Sequence, residues 1–345
     1  MKDIPADGNS STSPAAGKRR WLRMVYKTAG ALSILGGGGV VLHAILTHRE
    51  KKRLRPVGRM IEVGGCMMHM LATGDGGPTV ILEPGACGYF GVWEWVQQEV
   101  GKYTRVVSYD RAGLGFSEKS GGKRDAVSMA RELDEMLRSA GERPPYILVG
   151  HSFGGLLVMA YAQLFPQNTA GLVLVDPWHP DQIERSPELR KQLRNFRNFF
   201  HAAAAASHLG IMRVTDLLSM MTEGLSEYER TRARMFFVSP HHLKSSAREL
   251  DAWKETTDQT RSIHFGDLPV LILSAAEPQV EWVQQFHVMH QEMLGLSARA
   301  AHRIIPGVEH LNFITRRENA QHVSRAILEF IADETRPSDD QVSRS

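Results

Sequence analysis

The sequence predicts an α/β domain built on a mostly parallel sheet, and three observations carry that expectation. Past Pro56, short apolar runs punctuated by Gly and Pro alternate with longer amphipathic stretches, which is the pattern of strands and helices taken in turn. One such run, Tyr146 to Val149, passes through a tight glycine-rich turn directly into a helical run that ends near Phe165. After Asp176 the alternation stops. Roughly ninety residues, 177–265, then keep helical spacing, and that is too long for a loop within a compact sheet.

The elements follow in order. Met60 to Ala72, with Gly64 and Gly65 at its middle, reads as a hairpin, and Gly74 to Pro78 as the turn out of it. Strand-like runs follow at Thr79–Glu83, Arg105–Tyr109, Tyr146–Val149, Gly171–Val175, Pro269–Ser274 and His302–Ile305. Helical stretches separate the first four, near Trp93–Val100, Asp125–Ala140 and Phe153–Phe165, and a terminal helix begins near Arg317. The folded body is expected over 59–335, with 177–265 inserted as a helical lid and 336–345 as a disordered tail.

The N-terminus differs in kind. Residues 1–20 hold Asp, Asn, Ser, Thr, Pro and Gly with hardly any large apolar side chain, so disorder is expected there. Thr28 to Thr47 are 20 residues without Asp, Glu, Lys or Arg, and basic residues flank them on both sides. That length fits a bilayer-spanning helix, so 21–48 is expected as a single-pass membrane anchor and 49–58 as a basic linker. A cleaved signal peptide or a buried amphipathic helix are the rivals; the long charged leader and the lack of a small-residue cleavage site argue against the former. Five basic residues on each side leave the orientation open.

Charge follows the same division. Residues 1–55 carry 11 Lys/Arg against 3 Asp/Glu, while the remainder carries 30 against 35. A slightly acidic body has no electrostatic footprint for phosphate backbones, so nucleic acid is excluded as a partner. Cys66 and Cys87 are too few for a disulfide framework, and no Cys/His cluster is spaced for zinc.

The chemistry centres on Val149-Gly150-His151-Ser152-Phe153-Gly154-Gly155, a G-x-S-x-G motif between strand and helix. In so tight a turn the serine projects its Oγ while small neighbours let strand and helix approach. A hydroxyl needs a base to take its proton. Of 15 histidines, His310 follows the last strand-like run on a loop at the same sheet edge, and its place in chain order suits that role. His151 points away from a sharp turn and is expected to pack beside it. The base needs a carboxylate partner, and two end strand-like runs: Asp176, which is favoured, and Glu277. Oxyanion donors are expected from the backbone N–H of Phe153 and of Ala86, in the small-residue loop Pro84-Gly85-Ala86-Cys87-Gly88.

These residues resemble the α/β-hydrolase superfamily, over roughly 59–331. Besides the serine motif, Arg105-Val106-Val107-Ser108-Tyr109-Asp110-Arg111-Ala112-Gly113-Leu114-Gly115-Phe116-Ser117 is similar to the family's strand and loop ahead of the nucleophile helix. Gly171-Leu172-Val173-Leu174-Val175-Asp176-Pro177 is similar to its strand before the lid. The resemblance implies an eight-stranded, mostly parallel sheet with helices on both faces, a Ser-acid-His triad and no cofactor. Two departures stand out. Pro84-Gly85 replaces the family's frequent His-Gly, and only Glu277 stands where an Asp usually follows the penultimate strand, which adds weight to Asp176.

The functional expectation is therefore a membrane-anchored serine hydrolase acting on a hydrophobic, small-molecule carboxylic ester through an acyl-enzyme. Phe196, Phe199, Phe200, Met212, Met220, Met221, Phe236 and Phe237 could shape an apolar pocket in the insertion or simply pack it down. An amidase or peptidase would use the same residues, and a catalytically idle binding protein of the same fold is the alternative from another class. Epoxide hydrolase chemistry is disfavoured, since those relatives need a carboxylate where Ser152 stands.

Overall fold

The computed structural model describes residues 38–50, 52–215, 218–276 and 281–335. Its centre is one eight-stranded sheet: β1 (Arg59–Val63), β2 (Cys66–Thr73), β3 (Thr79–Glu83), β4 (Val106–Tyr109), β5 (Tyr146–His151), β6 (Thr169–Val175), β7 (Val270–Ala276) and β8 (Ala300–Pro306). The spatial order is β1-β2-β4-β3-β5-β6-β7-β8, with only the β1–β2 and β2–β4 pairings antiparallel. Gly64 and Gly65, both at positive φ, make the β1–β2 turn that few other residues would enter without strain.

The five inner parallel-paired strands, β3 to β7, are buried on both faces, which explains their unbroken apolar runs, whereas the edge strand β8 is half-buried to exposed along its length. Val80, Leu82, Ile147, Val149, Val173 and Val175 face one core, and their alternating neighbours Ile81, Leu148, Leu172 and Leu174 face the other. Helices α2 (Glu94–Val100) and α11 (Arg317–Thr335) cover the first face through Val96, Val100, Val323 and Ile327. Helices α3 (Ala126–Ala140) and α4 (Phe153–Leu164) cover the second through Met129, Leu133, Leu137 and Leu156. Asp125 caps α3 by accepting the Ser128 N–H at 3.1 Å, and Gly141 ends it in the left-handed region. The crossover between β7 and β8 carries α10 (Glu281–Glu292), a helix the sequence reading did not single out.

Between β6 and β7 the described residues form five α-helices: α5 (Gln182–Arg185), α6 (Pro187–Ser207), α7 (Glu227–Phe237), α8 (Pro240–Asp251) and α9 (Trp253–Thr260). Ser186 caps α6 with Pro187 at its first position, and Ser226 caps α7. Their apolar sides close onto the first core. Phe200, Met212, Phe236 and Phe237 are buried there, Phe199 and Met221 pack against it, and Met220 is exposed, so most of the eight side chains offered as a pocket are packing residues.

The expected membrane anchor is corrected. Residues 21–37 of it lie outside the described residues, and 38–50 form a helix, α1. Among the described residues no helix is long and apolar enough to cross a membrane. Instead α1 docks on the insertion through Arg213, which donates to both Glu50 carboxylate oxygens at 2.7 and 2.8 Å, to Thr47 Oγ1 at 2.7 Å and to His43 Nδ1 at 3.1 Å. His43 and Thr47 inside the stretch and Glu50 just beyond it thus serve a protein contact. The assignments of a transmembrane helix, a single-pass location and a membrane partner fall with the span.

Candidate active site

Ser152 stands between the last residue of β5 and the first of α4, with φ 55° and ψ −124°. Glycine flanks make this turn possible. A Cβ on Gly150 would come 2.6 Å from the Gly154 carbonyl oxygen; one on Gly154 would lie 2.6 Å from the carbonyl oxygens of Glu83 and Pro84; one on Gly155 would lie 2.7 Å from Pro177 Cβ. The Ser152 N–H donates to Val175 O at 3.0 Å, and its carbonyl accepts from Gly155 and Trp178. The apex is thereby tied to the end of β6.

Asp176 directly follows β6, and His310 follows β8 in a one-turn helix, His310–Asn312. The structure brings the three together. His310 Nε2 lies 3.0 Å from Ser152 Oγ, and Nδ1 lies 2.5 Å from Asp176 Oδ2. A carboxylate only accepts, so Nδ1 carries the hydrogen and Nε2 is left to receive the serine's. The other oxygen, Asp176 Oδ1, accepts the Ala275 N–H at 2.9 Å. Burial works to raise the Asp176 pKa, but the hydrogen bond and charge of His310, with His290 and the Ala275 N–H, outweigh it and bring the carboxyl down to about 2. Glu277, the other candidate acid, lies outside the described residues.

Backbone strain marks the same place. Among the described residues only Cys87, Ser152 and Asp176 adopt positive φ without being glycine, at 62°, 55° and 44°. Such conformations cost about 1–3 kcal/mol each and persist where surrounding contacts over-determine them. All three sit at the carboxyl edge of the sheet, where the ends of β3, β5 and β6 meet.

The loop after β3 crosses over Ser152: a Cβ on Gly85 would be 3.2 Å from Ser152 Cβ. No described hydrogen bond takes the N–H of Ala86, which is half-buried, or that of Phe153, which as the first residue of α4 has no acceptor within its helix. The loop is held by residues the sequence reading passed over. Arg111 donates to Pro84 O (2.7 Å), Gly85 O (2.8 Å), Glu83 Oε1 (2.6 Å) and both oxygens of Glu249 on α8 (2.7 and 2.8 Å). Behind Asp176, His290 Nε2 donates to Pro177 O at 2.8 Å, and Ser274 Oγ links His290 Nδ1 (2.6 Å) to His302 Nε2 (2.7 Å). Neither group had a local signal beyond an Arg after Asp110 and a Ser at the end of an apolar run.

A cavity of about 510 Å³ opens against the His310–Asp176 side of this group. Trp178, Ile183, Leu193, Phe196, Phe286 and Leu311 give it an apolar wall, and Phe196 is its one member from the eight side chains above. Ser152 itself is one side chain removed, beyond His310. Among the described residues no cluster of three His, Cys, Asp or Glu side chains is placed to hold a metal ion.

A fold and a site of this kind define a class. A family model described as alpha/beta hydrolase fold matches residues 78–316, and the chain belongs to that family. The uncharacterised protein YqjL of Bacillus subtilis (strain 168) is 25% identical over 238 residues, which cover 68% of this chain and 78% of that one. An esterase from Thermogutta terrifontis superposes with a TM-score of 0.59 at 21% identity, over 82% of this chain and 100% of its own. The epoxide hydrolase VrEH1 from Vigna radiata gives 0.64 at 18% identity, over 80% and 97%. At such identities the two structures speak to the fold alone.

Proposed function

We propose that this protein is a serine hydrolase that cleaves a hydrophobic carboxylic ester through an acyl-enzyme. The observation that carries the reading is the pair of His310 contacts, 3.0 Å to Ser152 Oγ and 2.5 Å to Asp176 Oδ2. In the first half-reaction His310 Nε2 takes the Ser152 proton as Oγ bonds the carbonyl carbon, and the carbonyl π pair moves onto oxygen. The N–H groups of Phe153 and Ala86 receive that oxyanion. Collapse breaks the bond to the alkoxy oxygen, which leaves as alcohol with the proton from His310. Water then repeats the sequence, releasing the acid and restoring Ser152. Asp176 keeps the imidazole in the required tautomer and balances its charge.

A hydroxyl rather than a carboxylate at position 152 favours acyl transfer over epoxide opening. The apolar wall beside His310 supports a hydrophobic group on the substrate, and the inserted helices that supply Ile183, Leu193 and Phe196 act as its lid. A fluorophosphonate probe tests the reading. It should label Ser152 in the full-length protein and fail to label the Ser152→Ala variant, which should also lose turnover of short p-nitrophenyl esters. Labelling retained at another serine would overturn it.

A further inference from the structure

We propose that Glu249, on the inserted helix α8, is a positioning residue for the oxyanion-binding N–H of Ala86, acting through Arg111; the inference rests on the reading of Ser152 as nucleophile. The Gly85 carbonyl and the Ala86 N–H belong to one planar trans peptide unit and point in opposite directions. Whatever fixes the first therefore aims the second. Gly85 O accepts from Arg111 Nη2 at 2.8 Å and from the Gly88 N–H at 3.1 Å, and the preceding carbonyl, Pro84 O, accepts from Arg111 Nη1 at 2.7 Å.

Arg111 is in turn oriented by α8. Its Nε and Nη2 meet the two Glu249 oxygens at 2.7 and 2.8 Å, a bidentate pairing that fixes the plane of the guanidinium as well as its position. The next residue of the loop is the strained Cys87, and α8 holds both its polar groups. Its N–H faces Glu249 Oε2 at 3.4 Å, and its carbonyl accepts from His242 Nε2 at 3.2 Å. Arg111, Glu83 and Glu249 side chains are each 1% exposed, so water does not compete for these bonds. A buried ion pair is weak evidence for stability, since apolar replacements of similar volume are often neutral. What this one supplies is orientation, delivered from a helix outside the sheet to the peptide that meets developing charge.

The test compares full-length wild type with Glu249→Gln and with Glu83→Gln/Arg111→Met/Glu249→Leu, the second leaving no unpaired charge from the buried cluster, since Glu83 also pairs with Arg111. Three quantities are read: kcat and KM for a p-nitrophenyl ester, the inhibition constant of an alkyl trifluoromethyl ketone, whose adduct carries the oxyanion, and that of the product carboxylate. Positioning predicts that kcat falls about 10²-fold, the scale of a lost oxyanion donor, while KM stays within about twofold. Ketone affinity should fall by the same factor and carboxylate affinity should hold. The proposal is overturned if a folded variant keeps wild-type kcat and ketone affinity. It is equally overturned if activity, KM and ketone affinity change only in step with the folded fraction, or if both variants fail to fold, since the pair is then structural. Loss of fluorophosphonate labelling at Ser152 in the wild type would instead remove the nucleophile reading, and this one with it.

Discussion

The imidazoles of His151 and His310 lie against each other, ring centroids 5.0 Å apart, with His151 Nε2 3.2 Å from the His310 carbonyl oxygen. A carbonyl only accepts, so His151 donates from Nε2 and steadies the backbone that carries its neighbour. Burial, and then the proximity of His310, push the His151 pKa down to about 3, so it stays neutral beside the imidazole proposed as the base. Replacing His151 with Phe keeps a ring and deletes the donor. A lost neutral hydrogen bond of about 1 kcal/mol corresponds to a five- to tenfold fall in kcat if His310 loses that much of its placement. Fluorophosphonate labelling of Ser152 should persist at a reduced rate. An unchanged kcat would show that the contact is packing alone.

Asp176 makes two separable bonds, Oδ2 to His310 and Oδ1 to the Ala275 N–H. Asp176→Asn retains an oxygen for Ala275 but offers an amide donor where the imidazole N–H was received. The expected loss in kcat is about 10⁴-fold, with folding largely kept. Glu277→Gln should cost little by comparison. The reverse ranking, measured on the same ester, would transfer the acid's role to Glu277.

Gly154→Ala tests the turn sterically. Its Cβ would meet two backbone carbonyl oxygens at 2.6 Å, and neither is the end of a flexible side chain that could swing aside. Relief requires α4 and the loop after β3 to separate, which are the two elements that carry Phe153 and Ala86. Overpacking of this kind costs about 1–3 kcal/mol of stability. A calorimetric scan should show a lower Tm together with a fall in kcat larger than the folded fraction explains, and a variant with wild-type turnover would contradict the close approach.

What was legible in the sequence was what is local. The strand-turn-helix around Ser152 is written in adjacent residues, and the alternation of apolar runs follows directly from strands buried on both faces. The choice between Asp176 and Glu277 was not local, because each closely follows a strand-like apolar run; the structure sets Asp176 against His310, and Glu277 lies outside the described residues. The docking of α1 was hidden for the same reason. A 20-residue uncharged stretch reads as lipid-facing until Arg213, far along the chain, is found bonding His43, Thr47 and Glu50. Glu249 also gives no signal on its own helix, since its partner is Arg111, 138 positions earlier.

The last prediction concerns acid stability and follows from His151 and His242. Burial pushes His242 down to about 4, as it helps push His151 down to about 3. In the unfolded chain both titrate near 6.5. Below about pH 6.5 the unfolded state therefore binds protons that the folded state does not, and the native state loses ground as pH falls. The contribution is fully present above the unfolded pKa and declines through the window down to each folded value. Each histidine adds a slope of up to about 1.4 kcal/mol per pH unit. The buried carboxyls of Glu83 and Glu229, which burial pushes up, act in the opposite sense, so the absolute profile is a sum. The diagnostic quantity is the difference between wild type and variant. Urea denaturation from pH 7.5 to 4.5 should give a shallower fall in stability for His151→Gln and for His242→Gln than for wild type, each by close to one proton's slope near pH 5. Parallel profiles for wild type and both variants would mean that neither imidazole is held neutral by the fold.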